Sequence, residues 1–191
     1  MTNKELEQRI IKLEEAVFGN NKKVSKPKIV SSPHEYKFNN GKTYQIDLAD
    51  ENGVLVFRDA VFEAPFDRSD DCTNVYDNST LKKELEEWFD KNAPQVLKDN
   101  YTVDLLNDYE IFDEDQLPEE YRIGKQLTIF KDWHNRIKGV KGARYSTWWW
   151  TKTAHRGSVS HAIIVYSSGY RNSYLANTSH GVVPCLRPKH Q

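Results

Sequence analysis

The side chains best suited to outward-facing chemistry collect in the last third of this 191-residue sequence. Trp149, His155, Arg156, Tyr166, Tyr170, Arg171, Tyr174 and His180 sit in or beside turns rich in Gly, Ser and Asn. Aromatics and arginine set among Ser, Gly and Asn form the composition of loop-borne recognition surfaces, because rigid rings supply contact area at little entropic cost. Sugar rings stack on such faces, and an anionic glycan or a nucleic acid would add contacts to Arg156 and Arg171. The plainer reading, that the tyrosines cover one face of a sheet, stands beside it with equal weight. The ligand-binding candidates are Trp149, His155, Arg156, Tyr170, Arg171, Tyr174 and His180.

Reaction chemistry is thinly provided. The chain has no phosphate-binding glycine loop, dinucleotide fingerprint, HExxH helix or GxSxG elbow. His155, His161 and His180 fall in a region whose sole acidic residue is Asp132, so a metal site there would need a carboxylate from elsewhere. Asp67, Asp70, Asp71 and Asp77 lack the EF-hand spacing and read as a solvated loop. Cys72 and Cys185 lie far apart without a CxxC pattern and read as reduced thiols rather than a disulfide. No catalytic activity, cofactor or metal is expected.

Net charge is −1 but strongly segregated. Residues 1–30 carry +3, residues 31–130 carry −13 and residues 131–191 carry +9. Either the acidic and basic parts pair within the fold, or the basic part offers a face to an anionic partner. The spread of the basic residues favours internal pairing. No run approaches the roughly 18 apolar residues of a membrane span, and the first residues lack the apolar core of a secretory signal. A cytoplasmic or virion location is the expectation.

The elements that must position these residues follow from periodicity and turn chemistry. Leu6, Ile10, Leu13 and Val17 form a short coiled-coil seam over residues 1–19, too short to be stable alone. It would join copies as a dimer or trimer, pack on the body, or dock on a virion protein. Residues 20–29 read as a linker and residues 30–191 as one domain. Tyr44–Leu48 alternates as a strand, Asp50–Gly53 turns, and Val54–Phe57 with Ala60–Phe62 continues a hairpin or meander. Asn78 or Ser79 caps a helix that places Leu81, Leu85, Trp88 and Phe89 on one face, and Pro94 ends its regular turns or kinks them. Trp148, Trp149 and Trp150 cannot share a strand face. The outer pair enters a core while Trp149 faces the other side, or the reverse. Ser160–Tyr166 reads as strand, Ser168–Gly169 as a turn, and Gly181–Pro188 closes the chain.

Three of these pieces resemble a bacterial and phage domain family of unknown function. They are Thr147-Trp-Trp-Trp-Thr-Lys-Thr153, Ala162-Ile-Ile-Val-Tyr-Ser-Ser-Gly169 and Gly181-Val-Val-Pro-Cys-Leu-Arg187. Asn78–Leu85 and Leu105–Phe112 are similar to its early helix and its middle turn. The family resembles the C-type-lectin-like fold shared by formylglycine-generating enzymes and variable phage binding proteins. The resemblance implies an α+β body with a small twisted antiparallel sheet, flanking helices, and a ligand surface on loops before the last strand. Val183 and Lys152 stand where that family usually has arginine. Cys72 and Cys185 do not match the reactive cysteine pair of formylglycine-generating enzymes, and the calcium motifs of sugar-binding lectins are absent. What the resemblance implies is a non-enzymatic phage or prophage module that recognises a cell-surface glycan or protein. The alternatives are a virion decoration or assembly protein without a ligand, and a basic-face nucleic-acid binder.

Overall fold

Turn chemistry sets the first strands. Asp50 Oδ1 accepts hydrogen bonds from the backbone N–H groups of Asn52 and Val54, each at 3.0 Å, and Gly53 supplies the positive φ of 84° that the reversal requires. The structure, a computed structural model, describes residues 34–69, 71–140 and 145–189. The expected helix at 1–19, with Leu6, Ile10, Leu13 and Val17, and the linker at 20–29 lie outside the described residues.

The chain is mixed α+β and mostly sheet. Its strands are β1 His34–Lys37, β2 Thr43–Leu48, β3 Leu55–Phe57, β4 Phe62–Pro65, β5 Tyr101–Asp104 and β6 Lys138–Gly139. They continue with β7 Ser146–Thr147, β8 Trp149–Ala154, β9 His161–Val165, β10 Arg171–Leu175, β11 Ser179–Val182 and β12 Cys185–Pro188. The α-helices are α1 Thr80–Asn92, α2 Gln95–Asn100 and α3 Asp108–Ile111, with short 3-10 turns elsewhere. Ser79 is the residue that caps α1: its Oγ accepts from Lys82 N–H at 3.2 Å. Asp67 adds to that cap by accepting from Thr80 N–H at 3.1 Å. The helix buries Leu81, Leu85 and Phe89, and Ala93 and Pro94 are both extended where it stops.

Among the described residues two five-stranded sheets form, in the orders β1-β2-β3-β12-β5 and β10-β9-β8-β11-β4, beside the β6-β7 ribbon. The small all-antiparallel sheet expected from sequence is therefore an underestimate. The second sheet contains a parallel contact, Gly181 against Trp149, because β11 enters between β8 and β4. Among the described residues the chain passes from one five-stranded sheet to the other four times: between β3 and β4, between β4 and β5, between β5 and β8, and between β11 and β12. At the last crossing Pro184 accepts from Phe57 N–H at 3.0 Å and Val182 from Val61 N–H at 2.9 Å. The closing strand thereby ties both sheets together.

Both faces of β8 are covered, which answers the triple-tryptophan question. Trp149 enters the larger core cluster with Phe57, Phe130 and Val165. Trp150 enters the second cluster with Phe66, Leu81 and Leu85, and Trp148 packs against that cluster from its margin. Each buried indole N–H is satisfied, Trp149 by the Arg136 carbonyl at 3.0 Å and Trp150 by the Ala64 carbonyl at 2.9 Å. Cys72 and Cys185 are free thiols, and burial pushes the Cys185 thiol well above its ordinary range.

Candidate functional site

The basic residues of the C-terminal strands turn inward onto the acidic middle of the chain. Arg187 of β12 forms two parallel hydrogen bonds to Glu110, both 2.9 Å, and donates from Nε to Asp104 at 2.9 Å. Lys152 of β8 reaches the same Asp104 oxygen at 2.6 Å. Arg171 of β10 donates from Nε to buried Asp108 at 3.0 Å, and Asp108 also accepts from the Thr153 hydroxyl at 3.1 Å. Three of the cations expected on a basic face are thus bound to carboxylates from residues 104–110.

The polar loop between β8 and β9 is held in shape from a distance. The Asn74 side-chain amide contacts the carbonyls of His155, Ser158 and His161 at 3.0, 2.7 and 2.9 Å. The hydroxyl of Tyr121 accepts from Arg156 N–H at 2.8 Å. The Tyr121 ring lies against both guanidinium groups, 5.2 Å from that of Arg156 and 4.4 Å from that of Arg171. Tyr121 was not legible as a site residue, because it sits in an acidic stretch with no periodic pattern.

The ligand candidates separate into three groups. Tyr174 and His180 come together, 5.1 Å between ring centroids, around Trp148. Ring centroids lie 4.4 Å from Trp148 to Tyr166 and 5.4 Å to His180, both tilted, and 5.5 Å to Tyr174, edge-on, so four rings cluster on the second sheet with Trp148, Tyr166 and Tyr174 partly open and His180 buried beneath them. Arg156, exposed, and Arg171, half-buried, meet at Tyr121, with His155 in the adjoining loop. Tyr170 stands apart and is 72% exposed. Trp149, expected to face a ligand, has no exposure at all and is a core residue; strand alternation turns Trp148 outward instead. His180 is buried, and that desolvation lowers its pKa to about 4, so it is a neutral ring at physiological pH.

Metal chemistry finds little material: among the described residues no group of three His, Cys, Asp or Glu side chains could hold an ion. Asp67, a member of the acidic loop, is instead buried and accepts from the N–H groups of Thr73 and Thr80 at 2.8 and 3.1 Å. Burial opposes its charge, but these bonds and the Ser69 hydroxyl prevail and keep its carboxyl below the ordinary value. Among the described residues no helix is long and apolar enough to cross a membrane.

A cleft of about 790 Å³ opens elsewhere, between the 3-10 turns that follow α3 and those that precede β6. Its lining includes Phe112, Arg122, Lys125, Lys131, Trp133 and Arg136. The sequence gives little warning of it, since these turns carry no helical or strand period.

The segment that contains these features has a counterpart among known families. Residues 98–188 match a domain of unknown function, DUF6273. The match takes in the ion-pair network, the cleft and the aromatic face, whereas the strands of the first hairpin and α1 precede it. No curated protein and no solved structure matches the chain.

Proposed function

We propose that the chain is a non-enzymatic recognition module that binds a cell-surface glycan on the aromatic face of its second sheet. The observation that supports this reading best is the ring of Tyr166, Tyr174 and His180 around a half-buried Trp148, with centroid distances of 4.4, 5.5 and 5.4 Å. Flat, partly exposed rings receive the C–H face of a sugar, and a neutral His180 adds no desolvation penalty for charge. Tyr166 and Asn172, joined by a hydrogen bond through hydroxyl and amide, stand at the rim with polar groups suited to sugar hydroxyls.

The finer reading of the fold as C-type-lectin-like belongs to the same proposal. The return of the last strand to pair with β3 supports it, together with the tryptophan, glycine-turn and closing-strand motifs. The phage or prophage setting, in a virion or in the cytoplasm, rests on those motifs. Copies joined as a dimer or trimer through Leu6, Ile10, Leu13 and Val17, or seated on a virion protein, would raise a weak single-site affinity. The nucleic-acid reading draws less support, since Lys152, Arg171 and Arg187 are engaged with Asp104, Asp108 and Glu110.

The test is retention of labelled full-length chain on intact bacterial cells and purified cell wall, at low and high salt. Salt-tolerant retention that Tyr174→Ala abolishes, while Arg156→Ala leaves it intact, is the expected result. Retention that ignores Tyr174→Ala, or none at either salt, would sink the reading. Loss of retention after protease treatment of the cells would replace the glycan with a protein ligand.

A further inference from the structure

Arg136 is a buried cation without a carboxylate. It is 6% exposed, yet among the described residues no carboxylate lies within ion-pair distance of its guanidinium. Its protein partners are neutral: Nη1 donates to Gln116 Oε1 at 2.8 Å and Nη2 to the Phe130 carbonyl at 3.3 Å. Nε has no partner, and the Phe112 ring lies 5.0 Å below the guanidinium carbon. Burial lowers the pKa of this group, with the more distant charge of Asp113 acting against that. A guanidinium taken out of water against neutral acceptors is expensive, and an opposite charge brought to it recovers much of that cost.

The surroundings supply a place for such a charge. Arg136 lines the 790 Å³ cleft, and Arg122, Lys125 and Lys131 line it too, against only Asp113 and Glu114 of opposite sign. This local excess of cations arises beside the most acidic stretch of the chain. Lys125 and Lys131 are exposed and form no ion pair among the described residues. Trp133, also in the lining, is 49% exposed and offers a flat apolar surface beside the cations. The volume suits one small molecule.

We propose that this cleft binds a small carboxylate-bearing ring compound, its carboxylate paired with Arg136 and its ring against Trp133. A guanidinium with donors left over after Gln116 and Phe130 matches the planar fork of a carboxylate. Lys125 and Lys131 hold the field that draws the anion in. The site is separate from the aromatic sheet face and does not depend on it.

The probe is D-glucuronate, with D-glucose and inorganic phosphate as controls, titrated into full-length chain. Binding is read by calorimetry and by the NMR shift of the Trp133 indole N–H. Glucuronate should move the Trp133 signal and bind at least about tenfold more tightly than glucose, the scale of one hydrogen bond to a charged group. Arg136→Gln should abolish binding. Because that change also releases Gln116 and Phe130, the rim variant Lys125→Glu/Lys131→Glu is measured beside it and should weaken binding about tenfold with an unchanged melting temperature. No shift at Trp133, equal affinity for glucose, phosphate bound in preference to glucuronate, or indifference to the rim variant would each overturn the proposal.

Discussion

Arg187, on the last strand, clasps Glu110, in α3, through two parallel hydrogen bonds of 2.9 Å each. Glu110 at the same time accepts from Asn107 N–H at 2.7 Å, so one carboxylate both caps its own helix and anchors the closing strand. Glu110 is buried and Arg187 half-buried, so removal of either partner strands a charge in a poor solvent. Glu110→Gln and Arg187→Met should each lower unfolding free energy by about 2–4 kcal/mol. The double variant Glu110→Gln/Arg187→Met should cost less than the two single losses added. Urea titrations of the four proteins close this cycle, and strict additivity would show that the pair is not coupled.

Gly181 has no room for a methyl group. A Cβ there would stand 2.7 Å from Thr147 Cγ2 and 3.1 Å from both Ala60 Cβ and the Trp148 carbonyl. The Gly181 N–H donates to that same Trp148 carbonyl at 2.7 Å, so backing away would break the parallel contact that seats β11. Gly181→Ala should therefore destabilise by roughly 1–3 kcal/mol. Thermal melts of this variant beside Gly41→Ala, where nothing lies within 4 Å but φ is 78°, compare the cost of overpacking at Gly181 with that of left-handed backbone strain at Gly41.

The elements governed by local rules were legible in the sequence, and those governed by long-range pairing were not. Asp50–Gly53, the Ser79 cap and the buried face of Leu81, Leu85 and Phe89 follow from turn and helix chemistry that acts within a few residues. Charge segregation announced that acidic and basic parts would meet, but spacing does not say that Arg187 meets Glu110 or that Arg171 meets Asp108. Alternation told Trp148 and Trp150 from Trp149, yet it cannot say which face is covered when β8 is buried on both. So Trp149 was expected at a ligand where Trp148 stands. Arg136 and Tyr121 escaped because 3-10 turns carry no hydrophobic period to set an orientation.

Lys138 is a second cation held in the core, 3% exposed, with Nζ donating to the Phe57 carbonyl at 3.2 Å. Burial lowers its pKa from the ordinary 10.5 to about 8, with Asp47 and Asp59 opposing the shift. Between these values the folded state holds fewer protons than the unfolded chain, so stability should climb as pH rises from about 8 to 10.5. Below pH 8 the buried charge costs its full amount, on the order of 3 kcal/mol. Lys138→Met should raise stability at pH 7 and flatten the climb. Denaturant midpoints at pH 7, 8.5 and 10 measure it, and a Lys138→Met profile parallel to that of the parent would assign the alkaline rise to other groups.

His180 gives the acid side of the same profile and ties it to the proposed ligand face. Its Nε2 is buried without a partner, its ring contacts Trp148, Trp150 and Tyr174, and desolvation lowers its pKa from 6.5 to about 4. In that interval the unfolded chain takes up a proton that the folded ring refuses, so stability should fall as pH drops from about 6.5 towards 4. His180→Phe keeps a ring among its aromatic neighbours and removes the titration, so the variant should lose less melting temperature than the parent over that range. Ligand retention by the parent should survive to pH 5 in parallel, because the face stays uncharged until the ring itself is protonated. Binding lost near pH 6.5, with melting temperature unchanged, would show that protonation of His180 does not control the face.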